Sequence, residues 1–186
     1  MANKKNKVKF NIKNVHYALK TDTGYATPKQ IPGAISISLE AQGELSAFYA
    51  DGIKYYVSSS NNGYEGDLEI ALIPDEFRID IFGEEKDDNS VLVENVNTES
   101  VEFALGFDID GDVKTTRFWF YNCTATRPST ESSTNEDKKE PTTDKLTVSC
   151  APLADGKVRS KTTEETPEQT YKDWFNEVYT PVKATI

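Results

Sequence analysis

Apolar residues along this chain recur with period two in three stretches and with helical spacing in two shorter ones. Residues 35–39 (ISISL) alternate strictly, which predicts a strand with Ile35, Ile37 and Leu39 on a buried face and serines on the other. Residues 67–72 (DLEIAL) repeat the pattern, with Leu68, Ile70 and Leu72 inward and Asp67 and Glu69 outward, so these acids decorate a sheet surface. The longest signal is 101–121. There Val101, Phe103, Leu105, Phe107 and Ile109 alternate, Asp110-Gly111 follows, and VKTTRFWFY comes next. This predicts a β-hairpin turning at Asp110-Gly111, because an Asp-Gly pair tolerates the positive φ values of a tight turn. Its arms, about nine residues each, exceed the usual five or six and need partners. Phe118, Trp119, Phe120 and Tyr121 are consecutive, so both faces of the second arm are apolar and both are expected to meet protein, which suggests subunit association.

Two helices interrupt the strands. In IPDEFRIDIFG, Pro74 suits the first helical position, Asp75 and Glu76 complement the N-terminal dipole, Phe77 and Ile81 share a face, and Gly83 closes the end. In TPEQTYKDWFNEVY, Thr166 and Gln169 form a capping-box pair around Pro167. Tyr171, Trp174, Phe175 and Val178 then fall at i, i+3, i+4, i+7, which predicts a helix near 167–179 with an aromatic core-facing stripe. Residues 128–145 (PSTESSTNEDKKEPTTDK) are almost devoid of apolar side chains and directly precede the strand-like LTVSC. They are expected to be a long exposed hairpin connection rather than a domain boundary.

At 186 residues the chain has the length of one domain and is long enough to bury a core without staples. Apolar residues are 37% and the mean hydropathy is −0.61, values of a soluble protein with much wet surface. No apolar run is long enough to span a bilayer, and the lysines of MANKKNKVKF are followed by no apolar stretch, so cytosolic synthesis without a signal peptide is expected and no membrane partner. Cys123 and Cys150 each sit in an apolar strand-like segment and read as small buried hydrophobes rather than a disulfide framework.

Charge is uneven. Residues 1–10 hold four lysines and no acid, whereas residues 51–112 hold 17 Asp and Glu against 3 Lys and Arg, a local net of −14. A field of that sign repels phosphates, which disfavours DNA binding of the usual kind. The chemistry of catalysis is sparse. His16 is the single histidine, which removes histidine triads and multi-histidine metal sites within one chain. There is no phosphate-cradling Gly-rich loop with Lys and no paired-cysteine metal motif. Residues 108–112 (DIDGD) lack the twelve-residue ligand spacing of a calcium loop. Asn122-Cys123-Thr124 matches a glycosylation acceptor, but within a strand of a chain without a secretion signal.

FYADGIKYYV at 48–57, SSSNNGYEGDLEIALIPDEF at 58–77, VLVEN at 91–95, YNCTATRPS at 121–129 and DGKVRSKTTE at 155–164 resemble, in order, the major tail protein family of long-tailed, non-contractile phages of Gram-positive bacteria. The resemblance runs from KVKFNIKNVHYA to the final helix and omits the polar tract. It implies a mainly β fold, sandwich- or barrel-like, with a long hairpin and one or two flanking helices, in one domain over 1–186 without the C-terminal Ig-like domain of some members. It implies a non-enzymatic virion protein, without cofactor, metal or catalytic residues, assembled in the host cytoplasm. Hexameric rings would stack into a hollow tube through which DNA and a tape-measure protein pass, with a tail terminator and a distal tail protein as further partners. Strands like those at 101–121 would join neighbouring subunits in a continuous inner barrel. Asp67, Glu69, Glu102, Asp108 and Asp110 are then candidates for the lumen face. Phe48, Tyr49, Tyr55 and Tyr56, in an aromatic stretch at 41–56 without clear periodicity, and Phe118, Trp119, Phe120 and Tyr121 are candidates for inter-subunit contacts. The N-terminal arm and the tail beyond Tyr179 are candidates for ring-to-ring contacts. Two other classes fit the composition: a monomeric β-sandwich binding module of a tail tip or adhesion apparatus, and a polysaccharide-cleaving enzyme with two facing carboxylates.

Overall fold

The computed structural model describes residues 5–134 and 141–182. In chain order the strands are β1 (Lys9–Thr21), β2 (Gly24–Tyr25), β3 (Lys29–Ile31), β4 (Ala34–Gln42), β5 (Leu45–Ala50), β6 (Ile53–Ser59) and β7 (Gly63–Ile70). Helix α1 (Asp75–Phe82) follows, then β8 (Glu85–Lys86), β9 (Leu92–Val93), β10 (Phe103–Gly111), β11 (Thr116–Ala125), β12 (Asp144–Ala151) and β13 (Arg159–Lys161). The chain ends in α2 (Glu168–Lys172), which runs into a 3-10 turn (Asp173–Phe175). Nine strands form one antiparallel sheet in the order β2-β1-β10-β11-β12-β7-β4, with β3 added to β1 and β13 to β11. The fold is mainly β, and the sheet does not close into a barrel.

The expected long hairpin is present as β10 and β11, with Phe107 opposite Phe118 and Ile109 opposite Thr116. Its turn lies later than the sequence suggests. Gly111 is still in β10, where it pairs with Lys9, and residues 112–115 make the connection. The reason is remote in sequence. The Asn6 side chain accepts from the backbone N–H groups of Val113 and Lys114 and donates to the Lys114 carbonyl, so the N-terminal segment shapes the loop. The hairpin also sits in the middle of the sheet, flanked by β1 on one side and by β12 and β13 on the other. Its strands have their edges paired within the chain, and β4 lies at one end of the sheet path.

Two cores lie on opposite faces of β10 and β11. Phe103, Leu105, Phe107 and Phe120 join Leu68, Ile70, Leu146, Val148 and the α1 residues Phe77, Ile81 and Phe82 in the larger one. Trp119 and Tyr121 join Ala18, Ala104, Trp174 and Val178 in the smaller. The consecutive aromatics therefore feed two cores alternately, and the second apolar face meets the chain's own C-terminal segment. Gly106 belongs to this packing, since a Cβ there would lie 2.7 Å from the Trp119 ring. Cys123 and Cys150 are buried free thiols directly opposite across β11 and β12, with sulfurs 2.8 Å apart.

Strand alternation holds with three corrections. Ile35 is 46% exposed because a register shift between Ala34 and Ser36 turns it away from Ile37 and Leu39. Leu72 is exposed because β7 ends at Ile70, and Val101 is exposed because β10 begins at Phe103. Helix α1 matches its signals closely. Pro74 is its N-cap rather than its first residue, and Gly83 closes it in the left-handed conformation at φ 63°. The final helix is shorter than expected, five residues and one 3-10 turn, and has no side-chain cap bond. Thr166 Oγ1 instead accepts from the Thr163 N–H, and Gln169 donates to Asp173, so the capping box does not form. The stripe still packs, with Trp174 and Val178 buried and Phe175 against them. The polar tract joins β11 to the antiparallel β12 as a long hairpin connection, and its residues 135–140 lie outside the described residues.

Candidate assembly surfaces

The stretch that lacked clear periodicity forms a second hairpin, β5 and β6, which among the described residues pairs only with itself. Its turn is Asp51-Gly52, with φ of 51° and 75°, the double positive φ that a two-residue hairpin turn requires. A register shift between Phe48 and Tyr49 adds one residue on β6, and Phe48 faces Tyr56. Large apolar side chains are exposed along both strands: Leu45 at 78%, Phe48 at 62%, Tyr49 at 64%, Ile53 at 63%, Tyr55 at 70% and Tyr56 at 62%. An isolated two-stranded hairpin is marginal in water, and an exposed apolar patch of this kind is a candidate contact surface.

The outer face of β4, β7 and β12 is polar from Ser36 to Glu40 and along the residues paired with them. In register it carries Ser36, Ser38 and Glu40 on β4, Glu69, Asp67 and Glu65 on β7, and Lys145, Thr147 and Ser149 on β12. Lys145 lies 2.8 Å from Asp67, whose other oxygen accepts from Thr147, and together they hold the Asp67 carboxyl below its usual range. Glu69 accepts from Thr143 and Ser36, which lowers it likewise. Glu40 and Glu65 stand directly opposite each other. Like charges in that position cost stability, so this pair is a feature that folding of the single chain does not favour. Strand alternation identified Asp67 and Glu69, whereas the opposition of Glu40 to Glu65 becomes visible only once the β4–β7 register is known.

The other three acidic candidates lie apart, Asp108 and Asp110 in β10 and Glu102 immediately before it. Glu102 pairs with Lys20, and Asp110 pairs with Lys13. Asp108 is 1% exposed. Its Oδ2 accepts from the Asn14 amide at 2.8 Å, where Asn14 takes a left-handed φ of 51° at a register shift in β1, and its Oδ1 lies 3.5 Å from Arg117 Nε. Burial pushes the Asp108 carboxyl up against the pull of Asn14 and Arg117. Within the chain it is thus a buried anchor rather than a surface charge.

Arg117 ties this anchor to the C-terminal segment. Its guanidinium lies 4.0 Å from the Tyr171 ring centre and donates to the Tyr171 carbonyl. Trp119 Nε1 donates to the Trp174 carbonyl at 2.8 Å, Tyr121 donates to the Tyr179 carbonyl, and His16 stacks on Phe175 at 4.4 Å. Trp119, Phe120 and Tyr121 are buried within the chain, while Phe118 is half-buried beside an open groove. Among these eight aromatic candidates the structure gathers Phe48, Tyr49, Tyr55 and Tyr56 on one exposed hairpin and divides the other four between the two cores. The N-terminal and C-terminal candidates are described only in part, since residues 1–4 and 183–186 lie outside the described residues.

Burial lowers the His16 pKa, so the folded chain holds the imidazole neutral where the unfolded chain would protonate it. The unfolded state then binds more protons below its ordinary value of about 6.5, and stability falls as pH drops through that value toward the folded one. We expect the urea midpoint to fall on acidification from pH 7 to 5. A His16→Gln variant should lose that part of the slope while being less stable at pH 7.

These features describe a mainly β chain with an exposed, self-paired apolar hairpin and a polar sheet face. No group of three or more metal-capable side chains occurs among the described residues, and no described helix is long and apolar enough to cross a membrane. The family model of phage tail tube proteins, that of the lactococcal phage major tail protein, matches residues 15–183. The chain belongs to the phage tail tube protein family, and it is a structural component of a phage tail. No curated protein matches it. Among solved structures it is similar to the tube-terminating cap of the anti-feeding prophage, at 12% identity and a TM-score of 0.47, over 88% of this chain and 98% of that one.

Proposed function

We propose that this chain is the repeating subunit of the tail tube, assembling into stacked rings, hexameric by family resemblance, around a bore that passes DNA. The observation that carries the reading is the β5–β6 hairpin, which exposes seven large apolar side chains and pairs with no other strand among the described residues. A hairpin of that composition is stabilised by a neighbour, and in a homopolymer the neighbour is another copy. The polar face of β4, β7 and β12 supports the second half of the reading. Glu40, Glu65, Asp67 and Glu69 against Lys145 give it a net negative charge, which suits a wall that must not bind phosphates. In this reading Glu102, Asp108 and Asp110 are not lumen residues, because they sit with lysines, arginine and the C-terminal segment.

Assembly in the host cytoplasm and contacts with a tape-measure protein, a tail terminator and a distal tail protein belong to the same proposal. Sedimentation velocity over a concentration series tests it. Rising concentration should move mass from the single chain to rings or longer species. A single-chain boundary at every concentration would favour a monomeric binding module instead.

A further inference from the structure

One groove in the structure is apolar at its floor and basic at its rim. It holds about 300 Å³ and is floored by Ile37, Leu39, Phe107, Ile109, Phe118 and Phe120. Lys9, Arg159 and Lys161 stand around it, all exposed and with no ion-pair partner among the described residues. Arg159 already lies over Tyr64, 4.9 Å from its ring centre, and over Phe120. The groove opens the larger core to solvent at a place where a globular chain would ordinarily close it, for Phe118 and Ile109 are only half-buried there. Its volume is at the small end of ligand-sized clefts, enough for a side chain or two and too little for a pair of strands.

The same chain carries the complement elsewhere. The β5–β6 hairpin presents Phe48 beside Tyr56, places Ile53 and Asp51 at its tip, and has Glu44 at its base, so that these two acids outnumber its single base, Lys54. None of its residues lines the groove of its own chain. We infer that the groove between β4, β7, β10 and β11 receives aromatic side chains from the β5–β6 hairpin of a second copy of this chain, whose strands lie across its mouth. Phe48 and Tyr56 supply apolar side chains for the floor, and an incoming ring meets the exposed Arg159 guanidinium. Asp51 and Glu44 meet the lysines of the rim, a match of sign that fixes orientation more than it adds affinity. Donor and acceptor are different surfaces of one molecule, so the contact is head-to-tail and repeats, which closes into rings or propagates into a tube.

This inference rests on the tube reading, and the test separates the two. A photo-crosslinking phenylalanine analogue replaces Tyr55, which leaves Phe48 and Tyr56 in place, and the protein is mixed with an isotopically heavy copy. Irradiation at concentrations where scattering reports assembly should join position 55 to peptides spanning 116–120 or 159–161 of the other isotopic form. Links between copies to other segments, or no such links in assembled samples, would overturn the groove assignment and leave the tube reading standing. Absence of assembly at every concentration would overturn both. As a second measurement, Arg159→Glu with Lys161→Glu should raise the concentration needed for assembly at least tenfold while leaving the thermal midpoint near wild type. Unchanged assembly would count against the basic rim.

Discussion

Replacing Phe48 and Tyr56 together by serine should raise the concentration at which the chain assembles by about a thousandfold, with the folded subunit left intact. Truncating an aromatic anchor at the centre of an interface costs about 2 kcal/mol or more, and about 1.4 kcal/mol corresponds to tenfold. The two side chains face each other across β5 and β6 and are each 62% exposed in the single chain, so its fold draws little from them. Surface changes of this kind usually move stability by less than about 0.5 kcal/mol. Light scattering over a concentration series, beside a urea melt, reads both quantities. Loss of the fold in the melt, or assembly at the wild-type concentration, would contradict the role given to the hairpin.

The opposite outcome is expected at Trp119. It is fully buried, packs against Gly106 and donates its indole N–H to the Trp174 carbonyl. Trp119→Ala empties the centre of the smaller core, and removal of a buried tryptophan side chain costs about 3–5 kcal/mol. That is a large share of the roughly 5–15 kcal/mol that holds a domain together. The urea midpoint should fall sharply. Limited proteolysis should cut the segment around α2 before the sheet, because the indole is a main tether of that segment. A midpoint within error of wild type would mean that the C-terminal segment is held chiefly by Arg117 and Tyr121. The two variants separate the residues that make the subunit from those that join subunits.

That separation was only half legible in the sequence. The alternation at 103–109 and the α1 signals lead to the observed elements, since period and capping are local properties. The two Asp-Gly pairs show where local reasoning stops. Asp51-Gly52 makes a tight turn and Asp110-Gly111 does not, although both follow an apolar run. The difference lies in Asn6, whose side chain organises residues 112–115 from more than a hundred positions away. The run Phe118 to Tyr121 correctly announced a strand covered on both faces. What covers the second face is the chain's own aromatic segment, and periodicity cannot distinguish a cover in the same chain from one in a neighbour. Asp108 is outward by alternation yet buried, because the same segment lies over it. Glu40 shows the reverse case: its face is evident from β4 alone, but its opposition to Glu65 depends on pairing register.

The most direct test of the tube account is electron microscopy of the concentrated protein, carried to a map in which strands can be traced. The account predicts hollow tubes of stacked rings whose bore is lined by the β4–β7–β12 face with Glu40, Glu65, Asp67 and Glu69. Solid filaments, tubes that carry those carboxylates on the outside or between subunits, or single chains at every concentration would contradict it.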